Sequence, residues 1–528
     1  MSLIKDKHFL QILFPRLPTT QLINCAVVCK QFYETTHTLW EKILYKDFDE
    51  YTVRKLDQYN ALRTYKYLYA LQKIRERFGH SSEIRGKSLE QLSELKTLNI
   101  NYQDIKGFPM KILYLSSLEE LSIMLCDIIE IPKNIYKLKK LQRLNLAKNK
   151  LKILPGQLFN TSLLSELNLG HNEFETINLY GFTSIVTLTL SYNKLTIFPE
   201  EITSMNKLKI LDLNHNKINI IPDKIGNLKS LEELNLSYNK IGELPNEFQN
   251  LVNLTYLTLD HNQLTNITFG QFKKLKTLNL SCNRLISVTN IDNLISLEYI
   301  DLQYNQLTDL EHEDFGYLKY LEYMNLQHNL LQELPSTMCK LSNLKSLNIY
   351  NNKLCKLPRK CDGWSSLEYL NVLQNQLTRI PSRLCDIKTL RELHLSGNNI
   401  ITLPSQISNL INLEVLTICG NKVDMVPDEL FTLTKLRILN FCDNELKFFS
   451  KNINKLVNLW KLDVSLNDLS EFPNDLSNLT KLSSLNITDN QIREIPHINN
   501  DCCIFFDKKM PIRIGDDLKI EQANACSI

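Results

Sequence analysis

The chain has 528 residues, of which 61 are basic and 58 acidic, giving a formal net charge of +3 with 43% hydrophobic residues. So even a balance excludes a general attraction to nucleic acid or acidic lipid and leaves any charged partner to be met locally. The leucines are separated by polar positions throughout, so no stretch reaches the roughly 18 apolar residues of a membrane helix.

The opening residues, MSLIKDKHFLQILFPRL, hold a short apolar run broken by Gln11 and ended by Pro15, with no small-residue cleavage site. No secretory signal is expected from them, and the expected location is cytoplasmic. Thirteen scattered cysteines without paired CxxC spacing point to reduced thiols.

In chain order, Phe9, Leu10, Leu13 and Phe14 predict a first short helix. Leu22, Cys25, Ala26, Cys29, Phe32 and Tyr33 recur at helical spacing behind a capping Thr19 or Thr20. Leu39, Trp40, Ile43 and Leu44 predict a third helix. Residues 1–50 thus form a small all-α module, too small to be comfortably stable alone, which a partner or a neighbouring domain should complete. Residues 51–87 read as a helical linker in which Leu68, Leu71, Ile74 and Phe78 alternate with Arg63, Lys66, Lys73, Arg75 and Arg77, the basic face being solvated.

From residue 88 to 498 one phrase, LxxLxLxxNxL, returns mostly every 23 residues. Its asparagine stands at Asn149, Asn172, Asn193, Asn216, Asn239 and onward to Asn490, with Gln103 and Cys126 in its place in two earlier units. About eighteen units at this period are the signature of leucine-rich repeats. The fold class expected is α/β: a solenoid with a curved parallel sheet on its concave side and short helices on its convex side. In LEELNLSYNKIGELP, Leu231, Leu234, Leu236 and Ile241 point inward, while Glu233, Asn235 and Ser237 alternate outward. Asn239 faces inward, where its amide both donates and accepts, so the asparagine column is a structural ladder. Asn235 and Asn279 of two NxS triplets fall in predicted strands and read as repeat consensus. Thirteen of the sixteen prolines share one place in the unit, where a fixed φ suits the turn into the convex segment. The units beginning near Leu164, Leu254, Leu275 and Leu297 lack it, and curvature is expected to change there. Residues 499–528, with CCIFF, read as a C-terminal cap.

Catalytic chemistry has no anchor. GxxxxGK[ST], GxGxxG, HExxH and GxSxG are all absent, so no enzyme, cofactor or metal is expected. Asp309, Glu311, His312, Glu313 and Asp314 could gather round a cation but read as a solvated convex loop. Cys25 and Cys29 share a helical face as core residues, and the pair Cys502 and Cys503 belongs to the cap. The candidate target site is aromatic. Tyr192, His215, Tyr238, His261, Tyr304 and His328 precede the ladder asparagine, and Tyr256, Tyr299, Tyr323 and Tyr369 lie on the predicted strands. Rings exposed on a rigid sheet make binding anchors, although the first column is equally a repeat consensus.

LPTTQLINCAVVCKQF followed by HTLWEKI resembles the latter two thirds of an F-box over about residues 8–48, with IKDKHF where the usual leading Leu-Pro would stand. An F-box followed by leucine-rich repeats is the arrangement of substrate receptors in Skp–cullin–F-box ubiquitin ligases. The resemblance implies a non-catalytic receptor in which Leu17, Pro18, Leu22, Val28, Cys29, Phe32 and Trp40 face a Skp-type adaptor and the repeats hold a protein target. The pairing, with its Asn, Lys and Ile richness, also resembles proteins of giant amoebal DNA viruses, which would place it in a host cytoplasm. The alternative is a leucine-rich repeat scaffold for a signalling protein or phosphatase, residues 8–48 merely capping the first repeat. Neither reading involves nucleic acid or a membrane.

Overall fold

The computed structural model describes residues 37–56, 61–103, 105, 107–310, 312–498 and 502–507, with side chains from residue 41 onward. The helices expected over residues 9–14 and 20–33 lie outside the described residues. The chain divides into two compact units, 1–210 and 211–528.

The first unit begins with helices α1 (His37–Asp47), α2 (Glu50–Lys55), α3 (Ala61–Phe78) and α4 (Leu89–Ser93). Asp49 caps α2 by accepting from the Thr52 amide at 2.8 Å, and Ser88 with Gln91 forms a capping box on α4. Leu44, Phe48 and Val53 bury against Ala61, Leu62, Tyr65 and Leu68 of α3 in a small core of their own. The Tyr65 hydroxyl ties this core to Asp47 at 2.9 Å. Further along α3, Leu71, Ile74 and Phe78 are fully buried, Tyr67 lies against Tyr114, and the Arg77 guanidinium donates to the Ile105 carbonyl at 3.0 Å. Residues 61–78 therefore close the end of the solenoid. Arg63, Arg75 and Arg77 remain solvated as expected, but Lys66 and Lys73 are half-buried because α3 is wedged between α1 and the first repeat.

Each repeat contributes a three-residue strand whose middle residue is buried. In the first unit these are β1 (Thr97–Asn99), β2 (Glu120–Ser122), β3 (Arg143–Asn145), β4 (Glu166–Asn168) and β5 (Thr187–Thr189), each parallel to the next. Strand β6 (Ile210–Asp212) falls at the division. The second unit holds β7 (Glu233–Asn235), β8 (Tyr256–Thr258), β9 (Asn266–Thr268), β10 (Thr277–Asn279), β11 (Ser287–Thr289), β12 (Tyr299–Asp301), β13 (Tyr323–Asn325) and β14 (Ser346–Asn348). It continues with β15 (Tyr369–Asn371), β16 (Glu392–His394), β17 (Val415–Thr417), β18 (Ile438–Asn440), β19 (Lys461–Asp463), β20 (Ser484–Asn486) and β21 (Cys503–Phe505). The α/β solenoid of parallel strands and short helices expected from the period is borne out. The CCIFF segment does more than cover the last coil: β21 pairs in parallel with β20 and extends the sheet.

The ladder has the geometry its chemistry requires. The Asn239 amide donates to the carbonyls of Leu213 and Leu236, both at 3.0 Å, and its oxygen accepts from the Ile218 amide at 2.9 Å. Every such bond satisfies a backbone group in a coil interior that water does not reach. In an early unit Cys126 substitutes, its thiol donating to the Ile100 carbonyl at 3.1 Å, while Asn149 of the next coil accepts from the Cys126 amide.

The side of each coil opposite its strand carries the short helical segments. Its helical segments are 3-10 turns of three to five residues, and proline is the residue before the turn, as Pro132, Pro222 and Pro381 show. The proline carbonyl accepts the first i+3 amide bond, for example from Ile135 at 3.0 Å, and φ near −70° leads directly into the turn. Two of the units lacking proline are extended here, pairing β9 with β11 in parallel through Ile267 and Val288. Their β-branched runs, NIT and SVT, suit a strand better than a tight helical turn.

Candidate protein-binding face

The outward face of the strands is built by two local rules. At β7 the Asn235 side chain accepts from the Ser237 amide at 3.1 Å, forming an Asx turn, and Asn279, Asp301, Asn325 and Asn348 do the same for the residue two further on. The residue after that turn is left-handed: Tyr238, His261, Tyr304 and His328 have φ of 52–53°. Such a φ strains most side chains, so the column needs compensation from contacts of its own.

Stacking supplies those contacts. In the first unit Tyr192 lies face to face with His171 at 4.0 Å. In the second, Tyr238 is sandwiched between His215 and His261 at 4.0 and 3.9 Å, and Tyr304 stacks on His328 at 4.2 Å. Each of these rings has at least one face occupied by a neighbour, and Tyr238 has both, which reduces what the column can offer a partner. Nor does Ser237 point outward: it is buried, donating to Asp260 at 2.5 Å.

The strand tyrosines are placed differently. Tyr256, Thr277, Tyr299, Tyr323, Ser346 and Tyr369 occupy one register position on successive strands, so Tyr299 and Tyr323 are direct neighbours. Tyr256, Tyr299 and Tyr323 are 40%, 37% and 46% exposed. Behind Tyr299 lies Asp301, which is only 5% exposed. It accepts from the Gln303 amide and side chain at 2.9 and 3.0 Å and from the Tyr299 hydroxyl at 3.3 Å. Burial pushes the Asp301 carboxyl above its ordinary value, and burial together with the Asp301 charge pushes the Tyr299 phenol up to about 12. Asp260, equally buried, accepts from Ser237, from Asn279 at 3.2 Å and from His261 at 2.9 Å. These carboxylates, the part of the face that composition alone did not reveal, stand at positions where neighbouring repeats carry Asn or Ser; that substitution was the available signal.

Further along the second unit the face changes. Cys419 and Cys442, on adjacent coils just past β17 and β18, form a disulfide with a Cα–Cα distance of 4.6 Å. The expectation of reduced thiols fails for this pair, because equal positions of neighbouring coils hold the two Cβ atoms together although 23 residues separate them in sequence. Burial pushes the Cys361 and Cys385 thiols up to about 12 and Cys502 to about 11, away from the reactive thiolate. Along the strand edge, exposed ion pairs link coils: Glu322 with Lys345 at 2.7 Å, and Arg391 with Glu414 at 3.3 Å.

Of the residues expected to face an adaptor, Leu17, Pro18, Leu22, Val28, Cys29 and Phe32 lie outside the described residues, as does the side chain of Trp40, whose backbone belongs to α1. Glu311 also lies outside them. Its neighbour Glu313 is buried and accepts from the Ile291 amide at 2.9 Å, and among the described residues no group of acidic, histidine or cysteine side chains could hold a metal ion.

The leucine-rich repeat region family pattern matches residues 263–396 and 378–497, and a second leucine-rich repeat pattern matches residues 207–264. A leucine-rich repeat protein of Leptospira interrogans is 33% identical, with 70% of this chain and 95% of that one aligned at a TM-score of 0.60. This chain belongs to the leucine-rich repeat proteins. Lower identities share the leucine-rich repeat fold. Toll, from the Drosophila Toll–Spatzle complex, is 21% identical over 80% of this chain and 61% of its own at a TM-score of 0.64. The Arabidopsis receptor kinase HAESA, in complex with the peptide hormone IDA and the co-receptor SERK1, is 20% identical over 83% and 86% at 0.57. No curated protein matches the chain by sequence. Among the described residues no helix is long and apolar enough to cross a membrane. The leucine-rich repeats here form a protein-interaction scaffold.

Proposed function

We propose that the chain is a non-catalytic, cytoplasmic substrate receptor of a Skp–cullin–F-box ubiquitin ligase, holding its target on the strand face of the second unit and its adaptor through residues 8–48. The observation that carries this reading is the division of labour at the N-terminus. Closure of the first repeat is supplied by α3, through Phe78, Tyr67 and Arg77. The described part of α1 rests on α3 through Leu44 and does not itself cover the first repeat. With α3 in that role, the F-box-like order of LP, VCK and LW supports an adaptor-binding part for the preceding segment. The scaffold reading, in which the target is a signalling protein or phosphatase, is supported by the same strand face and differs only in having no adaptor.

The test is binding of the full chain to a Skp-type adaptor. Replacing Leu17 and Pro18 by Ala is expected to weaken it by about 2 kcal/mol or more per contact while the solenoid keeps its unfolding midpoint. Absence of adaptor binding by the unaltered chain at micromolar concentration would leave the scaffold reading.

A further inference from the structure

The strand face between β8 and β15 carries its own charge, unlike the chain as a whole. Glu233, Asp260 and Asp301 lie on or beside it, two of them nearly buried. The lysines at its edge, Lys276 and Lys345, are already engaged with Glu298 and Glu322 at 2.8 and 2.7 Å. Asp301 is satisfied by neutral donors, and among the described residues no cationic side chain pairs with it. A carboxylate held away from water beside exposed tyrosine rings makes this surface attractive to a cation, since aromatic rings attract cations and the phenol of Tyr299 donates its proton toward Asp301 at 3.3 Å, enriching its ring. Spacing adds a second constraint. β8, β10 and β12 are consecutive neighbours, so the Asp260 and Asp301 coils stand about 10 Å apart, close to one three-residue turn of a polyproline II chain, which brings residues three apart onto the same face.

We propose that this face takes an extended, arginine-rich stretch of the target protein, one guanidinium lying on Tyr299 and Tyr323 above Asp301 and another, three residues along, facing Asp260. The proposal rests on the strand face being where the target docks. Arginine fits better than lysine because its planar, weakly hydrated cation stacks on rings. Nucleic acid, itself anionic, is repelled by the same charges.

The test uses the full chain and a fluorescent peptide with Arg at every third position in a Gly/Ser background, beside Lys and Glu counterparts. The Arg peptide is expected to bind more tightly than the Lys peptide and at least about tenfold more tightly than the Glu peptide, and to weaken with added salt. Asp301→Asn keeps the oxygen that accepts from Gln303, as Asn325 and Asn279 do in their own coils. It should fold normally and lose about tenfold in affinity for the Arg peptide; Tyr323→Ala should lose a comparable amount. An Arg peptide that binds no better than its Glu counterpart, or unchanged binding in Asp301→Asn, overturns the cation reading. If target capture is then still abolished in a Tyr299→Ala, Tyr323→Ala double variant, the strand face keeps its role and only the partner's chemistry is wrong; if capture survives, both readings fall.

Discussion

The coils from β8 to β15 and those from β16 to β19 are alike inside and unlike outside. Leu257, Leu278 and Ile300 are fully buried in the first stretch, as are Leu393, Leu416 and Leu439 in the second, and Asn262 and Asn398 make the same set of bonds. On the outer face the tyrosine column gives way to Glu392, Val415, Ile438 and Lys461 in register. The left-handed column, which holds His261, Tyr304 and His328 in the first stretch, holds Gly397 and Gly420 in the second, whose φ values of 65° and 63° cost glycine nothing. A cross-linked Cys419–Cys442 pair and an exposed Trp460 complete a surface of quite different chemistry. The interior obeys the coil, and the outward columns are free to be specialised strip by strip.

That contrast can be broken first at its shared part. Asn305→Ala and Asn398→Ala should each cost about 1–3 kcal/mol in urea unfolding, because each strands buried backbone groups in its own and the preceding coil. Lys345→Ala, at an exposed ion pair, should stay within about 0.5 kcal/mol. Equal losses at ladder and surface positions would mean that inside and outside are not separable.

A smaller effect on stability, but a large one on binding, is expected on the first strip. The Tyr299→Ala, Tyr323→Ala double variant should lose target capture with unfolding free energy changed by about 0.5 kcal/mol or less per site, since the rings stand outside the leucine interior. Val415→Ser with Ile438→Ser, on the second strip, should leave capture intact. Capture lost only on altering His312, Glu313 and Asp314 would place the binding surface on the opposite side of the coil.

The smallest effect sharpens the comparison by pH. The folded-state carboxyl of Asp301 titrates above its unfolded value because burial disfavours its charge. Ionising it therefore costs stability in full above the folded pKa, and the cost is relieved as pH falls through that value toward the unfolded one. Asp301→Asn should accordingly be at least as stable as the parent at neutral pH and lose that advantage on acidification. A variant with the opposite trend would show that the carboxylate is favoured, not disfavoured, by its surroundings.

What was legible in the sequence is what the period repeats. Leu234, Asn239 and Pro222 each recur in equivalent coils, so their roles could be read from spacing alone. Features that depend on the particular neighbour were not legible. The stacking of Tyr238 between two histidines follows from the left-handed turn that Asn235 closes, and a linear reading of alternation instead turned Ser237 outward. The Cys419–Cys442 bond depends on two coils sharing register. The end-closing role of α3 depends on Tyr114 and Ile105 meeting it, which an amphipathic pattern with many arginines does not announce. The residues expected to face an adaptor lie outside the described residues, apart from the Trp40 backbone in α1.

The reach of the asparagine ladder has a consequence for how such a chain changes over generations. Asn305 bonds to its own coil and to the one before it. Each coil is thus secured by a nearest neighbour that carries the same two partners, and the energy of the junction does not depend on how many coils stand on either side. Duplicating or deleting a whole unit recreates an ordinary junction, whereas gaining or losing a few residues breaks one. Copy number is therefore a quantity that this architecture can vary almost freely, and recognition strips can be lengthened, shortened or spaced apart by recombination without redesigning the interior.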